Sequence, residues 1–273
     1  MTFEIQAHRG ARSFFPENTI QAFCKAADLG ITVIELDLVV SKDLEIVVSH
    51  DPWISGPLCS DPAGNPLGEE DRTRFVIYDM PYSEIISFDC GRPHPSFPGQ
   101  QKIVSGKPLL SEVFRQVDDY MEKSGLNGKM IFNLEIKSLP KYDGRYHPFP
   151  PEFAMLVVRL VEDAGFQERV RIQSFDYRVV KEAWRLNPGL CYGLLFSDRS
   201  NIAPFLQELE FIPHYVNPHY TLVDRKMVEE LHASGMKVIP WTVNLKEDML
   251  AMHCSGTDGL ITDYPETALS LFG

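Results

Sequence analysis

The sequence predicts an α/β fold, a TIM (β/α)8 barrel, on three observations. Eight short β-like runs recur along 273 residues, amphipathic helical segments separate many of them, and the length suits one such barrel. The first run is Ile5 to His8, followed by a helix that Asn18 or Thr19 can cap and Gly30 ends. Later runs are Thr32 to Leu38, Met130 to Ile136, Val170 to Phe175, Cys191 to Phe196, Tyr215 to Asn217, Lys237 to Val243 and Gly259 to Asp263. Leu110 to Lys123, Glu152 to Ala164, Tyr177 to Leu186 and Arg225 to Ala233 carry apolar residues at i, i+3, i+4 spacing. An open doubly wound sheet is the alternative arrangement. No internal repeat or low-complexity tract is visible.

Two stretches break the alternation. Ser41 to His50 follows the second run after only a turn, too soon for a parallel crossover, so it predicts an antiparallel hairpin. A turn centred on Asp43-Leu44 would pair Asp37 with His50, and Glu35 would share their face. Residues 52–107 are rich in Pro, Gly and Asp, and read as an insertion over the C-terminal mouth of a single catalytic domain spanning 1–273. A shorter Pro-rich aromatic loop, Tyr142 to Phe153, follows Lys137.

Bulk properties narrow the function classes. The formal net charge of −12 argues against a nucleic-acid partner, which needs clustered Lys and Arg, but not against a small phosphate ester. No apolar run reaches bilayer length, so no integral membrane segment is expected; no signal peptide is visible, which suggests a cytoplasmic protein. The five cysteines are odd in number and scattered without a C-x-x-C, and read as reduced thiols without a disulfide.

Barrel sites form at strand C-terminal ends. His8 and Arg9 end the first run, Glu35 and Asp37 lie in the second, and Glu135 and Lys137 end the third. Paired carboxylates on a strand are usually a solvated face. A parallel barrel strand is buried on both faces, so these three need compensation by a cation. Oxygen-only ligands select Mg²⁺ or Ca²⁺, so Glu35, Asp37 and Glu135 are expected to hold one divalent cation. His8 and His50 can move protons, and Arg9 and Lys137 can grip an anion; metal-assisted cleavage of a phosphate ester uses all of them. Trp241 either fills the barrel core or walls the substrate, and His219 is a further candidate for the pocket. His94, His147, His232 and His253 read as surface or loop residues. No His-x-His pair, phosphate-binding Gly-Lys loop, dinucleotide fingerprint or nucleophile-elbow serine is present.

Eight motifs in order extend this reading. They are His8-Arg9-Gly10, Glu17-Asn18-Thr19, Glu35-Leu36-Asp37, His50-Asp51, Glu135-Ile136-Lys137, Gln173-Ser174-Phe175, Trp241-Thr242-Val243-Asn244 and the run Gly259 to Pro265. Together they resemble the glycerophosphodiester phosphodiesterase family over nearly the whole chain. The resemblance implies a TIM barrel that hydrolyses small glycerophosphodiesters to glycerol 3-phosphate and an alcohol. It implies a divalent cation on Glu35, Asp37 and Glu135, His8 and His50 as the acid/base pair, and Arg9 and Lys137 on the phosphate oxygens. Two rival readings are a phospholipase D-like lyase on lysolipids and a phosphate-ester binding protein without turnover; intact His8 and His50 speak against the second.

Overall fold

The computed structural model describes residues 3–54, 56 and 58–273, so positions 55 and 57 of the insertion lie outside the described residues. Its strands are β1 (Glu4–His8), β2 (Val33–Val40), β3 (Ile46–Val48), β4 (Ile131–Ile136), β5 (Val170–Ser174), β6 (Cys191–Phe196), β7 (Tyr215–Pro218), β8 (Lys237–Val238) and β9 (Gly259–Thr262). The helices are α1 (Ile20–Asp28), α2 (Tyr82–Ile85), α3 (Leu110–Lys123), α4 (Pro150–Asp163), α5 (Tyr177–Leu186), α6 (Ile202–Glu208), α7 (Arg225–Ala233), α8 (Lys246–Cys254) and α9 (Pro265–Phe272).

Eight strands pair in parallel, in the order β8-β7-β6-β5-β4-β2-β1-β9. The ring closes through the backbone, where Asp258 N donates to Val238 O, Ile261 N to Pro240 O and Val243 N to Ile261 O. This is the predicted barrel. The seventh strand is shorter than the run Lys237 to Val243, because Pro240 has no N–H to offer the ladder. Every residue of β2 is buried, which accounts for its nearly continuous apolar run broken only by Glu35 and Asp37. Helix α1 starts at Thr19, whose hydroxyl accepts from Ala22 N at 3.2 Å, and buries Ala22, Phe23, Ala26 and Ala27 against the barrel wall. Among the described residues no helix is long and apolar enough to cross a membrane.

The hairpin exists, but its register corrects the expectation by one residue. Strand β3 runs antiparallel to β2 with Leu38 opposite Val48 and Val40 opposite Ile46, and Ser49 N donates to Asp37 O. Asp37 therefore faces Ser49, and His50 lies beyond the strand. The cause is an odd loop. Lys42-Asp43-Leu44 spans the turn, Leu44 takes φ +63°, and the Ser41 hydroxyl accepts from Glu45 N at 3.0 Å.

The segment between β3 and α3 carries a small core of its own, where Ile54, Ile77, Ile85 and Phe88 pack with Val39 and Val47 of the hairpin. Here the cysteine expectation fails. The chain reversal joined by Ser60 and Asp89 brings Cys59 and Cys90 to a Cα–Cα distance of 4.0 Å, and they form a disulfide. Their separation of 31 residues gave no sign of it in the sequence. Gln100 Nε2 then ties the segment to the β1–α1 loop, donating to Arg12 O at 2.6 Å and Phe15 O at 3.1 Å.

That loop is built tightly. Gly10 has φ +85°, and a Cβ there would sit 2.8 Å from the carbonyl carbon and the Cβ of Ala22. Gly10→Ala adds a left-handed backbone cost of about 1–2 kcal/mol to an overpacking cost of about 1–3 kcal/mol, so we expect it to lose about 3 kcal/mol. Urea unfolding of the variant checks this; stability within about 0.5 kcal/mol of the parent, the range of innocuous surface changes, would contradict it.

Candidate active site at the barrel mouth

Register alone assembles the acidic cluster. His8 lies opposite Glu35, Asp37 opposite Glu135, and Glu135 opposite Gln173. Cross-strand partners point to one face, here the barrel interior. Around them the interior stays polar: Asn133 Nδ2 donates to Gln6 Oε1 at 2.7 Å, and Asn217 Nδ2 donates to Gln173 Oε1, while Asn217 Oδ1 is buried without a donor.

Glu35, Asp37 and Glu135 are all buried and each offers an oxygen within 4.8 Å of the other two. Arg9 and Lys137 reach into the cluster. Arg9 Nε lies 3.2 Å from Asp37 Oδ2, Lys137 Nζ lies 2.6 Å from Glu135 Oε1 and 3.5 Å from Asp37 Oδ1. The Arg9 backbone N–H donates to Glu35 Oε2 at 3.1 Å. Arg9 and Asn18 both adopt left-handed backbone, at φ +55° and +58°, and Asn18 Nδ2 donates to Asp37 Oδ2 at 2.8 Å. Strain of roughly 1–2 kcal/mol at each non-glycine residue is the cost of turning these donors toward the carboxylates.

The histidines take matching positions. His8 Nδ1 donates to Asp263 Oδ1 at 2.6 Å, which leaves Nε2 facing the cluster, 3.9 Å from Glu35 Oε2. His50 Nδ1 donates to Asp51 Oδ1 at 2.8 Å. One cavity of about 80 Å³ is lined by His8, Arg9, Glu35, His50, Glu135, Lys137 and Trp241, while Asp37 sits behind it, fully covered. All eight residues singled out in the sequence thus meet at one mouth. His50 arrives there from beyond the hairpin instead of through the expected pairing. Trp241 walls the cavity, its Nε1 donating to Asn217 O at 2.8 Å and Phe175 meeting it edge-on at 5.2 Å. His219 packs on the other side of Trp241, its ring 5.1 Å away and its Nδ1 2.7 Å from Thr221 Oγ1, outside this cavity. His147 lies in a loop, as expected, but is not at the surface. It is buried, with Nδ1 donating to Pro148 O and Nε2 accepting from Leu139 N at 3.0 Å, and so pins the loop after β4.

Asp263, Glu17, Asn18, Arg12 and Asn244 surround the site without having been given roles from sequence. Glu17 bridges Arg9 at 2.9 Å and Arg12 at 2.5 Å. Asn244 Nδ2 donates to Asp263 Oδ2 at 2.8 Å. Glu17, Asn18, Asn244 and Asp263 do lie in the motifs that carry the family resemblance, and Asp263 also follows the last strand, which barrel closure puts beside β1; Arg12 had no such signal.

The electrostatics leave a deficit. Burial opposes ionisation of Asp37, but Arg9 and then Lys137 outweigh it and hold that carboxyl well below its ordinary range. Burial likewise opposes Asp263, and His8 and Arg12 outweigh it. Burial pushes His8 down, against the pull of Asp263, and favours neutral imidazole. Glu35 goes the other way: burial, then Asp37 and Glu135, raise it well above the usual carboxylate range. Glu35 and Glu135 share the volume with Asp37, and the pull of Arg9 and Lys137 falls chiefly on Asp37. Asp37 Oδ1 is buried without a hydrogen-bond donor. A divalent cation fits both facts, and the all-oxygen donor set suits a hard ion.

Barrel, mouth and relatives agree on the class: a TIM-barrel phosphoric diester hydrolase. A model of the glycerophosphoryl diester phosphodiesterase family matches residues 8–267, and the chain belongs to that family. A glycerophosphodiester phosphodiesterase of Caldanaerobacter subterraneus subsp. tengcongensis is 32% identical over 269 residues, covering 98% of this chain and 96% of that one. A crystal structure of a protein from Silicibacter pomeroyi superposes with a TM-score of 0.88 at 26% identity, covering 99% of this chain and 93% of its own. A phosphodiesterase of Oleispira antarctica, solved with the product sn-glycerol-3-phosphate, gives 0.77 at 26% identity, covering 98% and 95%.

Raised Glu35 makes a signed prediction for metal-free protein. A carboxyl whose folded pKa is raised stabilises below its unfolded value, about 4.3, and that contribution is lost as pH rises toward the folded value. In EDTA, Glu35→Gln should therefore gain on the parent in Tm between pH 4.5 and 8. Calorimetry at stepped pH reads the difference; parallel Tm profiles would contradict the account.

Proposed function

We propose that this chain hydrolyses glycerophosphodiesters to glycerol 3-phosphate and an alcohol, with Glu35, Asp37 and Glu135 holding one divalent cation, Mg²⁺ or Ca²⁺, and with 1–273 acting as one catalytic domain whose 52–107 insertion flanks the mouth. The observation that carries the reading is the buried carboxylate triad flanked by two histidines, each fixed at Nδ1 by a carboxylate. The relatives named above support the substrate class.

A bound divalent cation would offset negative charge building on the phosphate oxygens. Arg9 and Lys137 orient the phosphate, each already set at the cluster by its ion pairs. With Nδ1 committed to Asp263, His8 presents Nε2; with Nδ1 committed to Asp51, His50 does the same. One Nε2 takes the proton of the attacking oxygen. As the new phosphorus–oxygen bond forms and the phosphorus–alcohol bond breaks, the other histidine delivers a proton to the departing oxygen. Trp241 and Phe175 wall the pocket beside the reacting phosphate.

The direct test is glycerol 3-phosphate release from choline, ethanolamine, glycerol and inositol diesters. Release from at least one is expected; none from any would overturn the reading. His8→Ala and His50→Ala should each lower kcat roughly a hundred- to ten-thousand-fold while the fold persists by circular dichroism. A p-nitrophenyl diester needs little protonation of its leaving group, so it should largely rescue whichever variant lost the acid. Equal defects of both variants on both diesters would remove support for divided roles.

A further inference from the structure

The two histidine–carboxylate pairs at the mouth are built unequally. His8 and Asp263 have side chains only 13% and 7% exposed, and Asp263 has a cation of its own: Arg12 Nη1 donates to its Oδ1 at 3.3 Å. His50 and Asp51 are 36% and 47% exposed, and among the described residues Asp51 has no ion pair beyond His50. An exposed pair of that kind contributes about 1 kcal/mol or less, and by itself holds an imidazole loosely.

Lys107 stands beside this weaker pair. The chain leaves the 52–107 insertion next to β3, where Leu109 lies opposite Val47 and Val48 N donates to Pro108 O at 2.8 Å. On the other flank, a Cβ on Gly106 would come 2.8 Å from Ile86 O, so glycine alone fits there. The backbone of Lys107 is thus fixed from both sides. Lys107 is half-buried and lines a cavity of about 40 Å³ with Glu17, His50, Asp51 and Trp53, a polar space with room for ordered water. Arg9 and Arg12 occupy Glu17, and His50 occupies Asp51. Among the described residues no carboxylate lies within ion-pair distance of the Lys107 ammonium, although Glu17 and then Asp51 pull on it against the effect of burial.

Of these two acids, Asp51 has more to gain from a further cation. Glu17 already holds two guanidinium groups, at 2.9 and 2.5 Å. Burial opposes ionisation of Asp51, and His50, then Lys107, outweigh it. We propose that Lys107 is a positioning residue for His50: its ammonium acts through Asp51, across the small cavity, to keep that carboxylate on Nδ1 and Nε2 turned to the mouth. It would serve His50 as Arg12 serves His8 through Asp263. The inference rests on the diesterase reading above, and adds the group that sets one of its two proton carriers.

The test reads the ring itself and then turnover. Imidazole ¹⁵N spectra of histidine-labelled protein, taken where both rings are neutral and assigned with His8→Ala and His50→Ala, report each tautomer without any substrate. The parent should carry the His50 proton on Nδ1. Lys107→Met should shift His50 toward the Nε2–H form and leave His8 as it was, whereas Lys107→Arg should keep the parental spectrum. In the diester assay Lys107→Met should lower kcat about tenfold, the scale on which residues that orient a reacting ligand act, with KM within about twofold. Lys107→Arg should recover most of that loss. Where Asp51 is already Asn, Lys107→Met should cost less than about threefold more, since the group it acts through is gone. Lys107→Gln supplies the same readings if the methionine variant does not fold. An unmoved His50 tautomer, equal movement of His8, or a loss just as large on the Asp51→Asn background would overturn the positioning role. A His50 shift in a protein that hydrolyses no diester would keep that role and sink the diesterase reading.

Discussion

Repulsion among three buried carboxylates is the constraint on which this mouth depends. Glu35, Asp37 and Glu135 are each less than one-tenth exposed and share one small volume. Unpaired charge in such a place is costly, so the surrounding structure is bent to compensate it. Arg9 and Asn18 accept left-handed backbone, Gly10 accepts contact with α1, and Lys137 lies across two of the three acids. The compensation is still incomplete. Asp37 Oδ1 stays buried without a hydrogen-bond donor, and burial together with Asp37 and Glu135 opposes ionisation of Glu35.

The histidines depend on the same frame. Asp263 follows the last strand and fixes His8, so barrel closure and the orientation of that imidazole share one residue. His50 sits where the hairpin releases the chain into the 52–107 segment, and that segment is itself held by its small core, by the Cys59–Cys90 bond and by Gln100 on the β1–α1 loop. The geometry of the mouth is therefore borne partly by barrel strands and partly by the loop structure that follows the hairpin.

Much of this was legible because burial writes itself into sequence. Strands such as Val33–Val40 and Ile131–Ile136 are buried on both faces, and acids interrupting their mostly apolar runs had to be functional or compensated. The hairpin was legible from spacing, but its register was not: an odd loop with Leu44 in left-handed backbone shifts the pairing by one, and no residue pattern there announces it. Contacts between distant segments stayed hidden. Cys59 and Cys90 meet only because their segment doubles back, and His147 is buried only because it caps the backbone of Leu139. Glu17, Arg12 and Asn244 lie on loops whose course no periodicity encodes.

The central claim is that the carboxylate triad binds one divalent cation on which diester hydrolysis depends. Titrating Mg²⁺ or Ca²⁺ into exhaustively EDTA-dialysed protein, while following heat and glycerol 3-phosphate release together, tests it most directly. The account predicts an inactive starting state, one ion bound per chain, and activity recovered in step with occupancy; Glu135→Gln should bind and recover little. Full activity in the dialysed protein before any metal is added would contradict it.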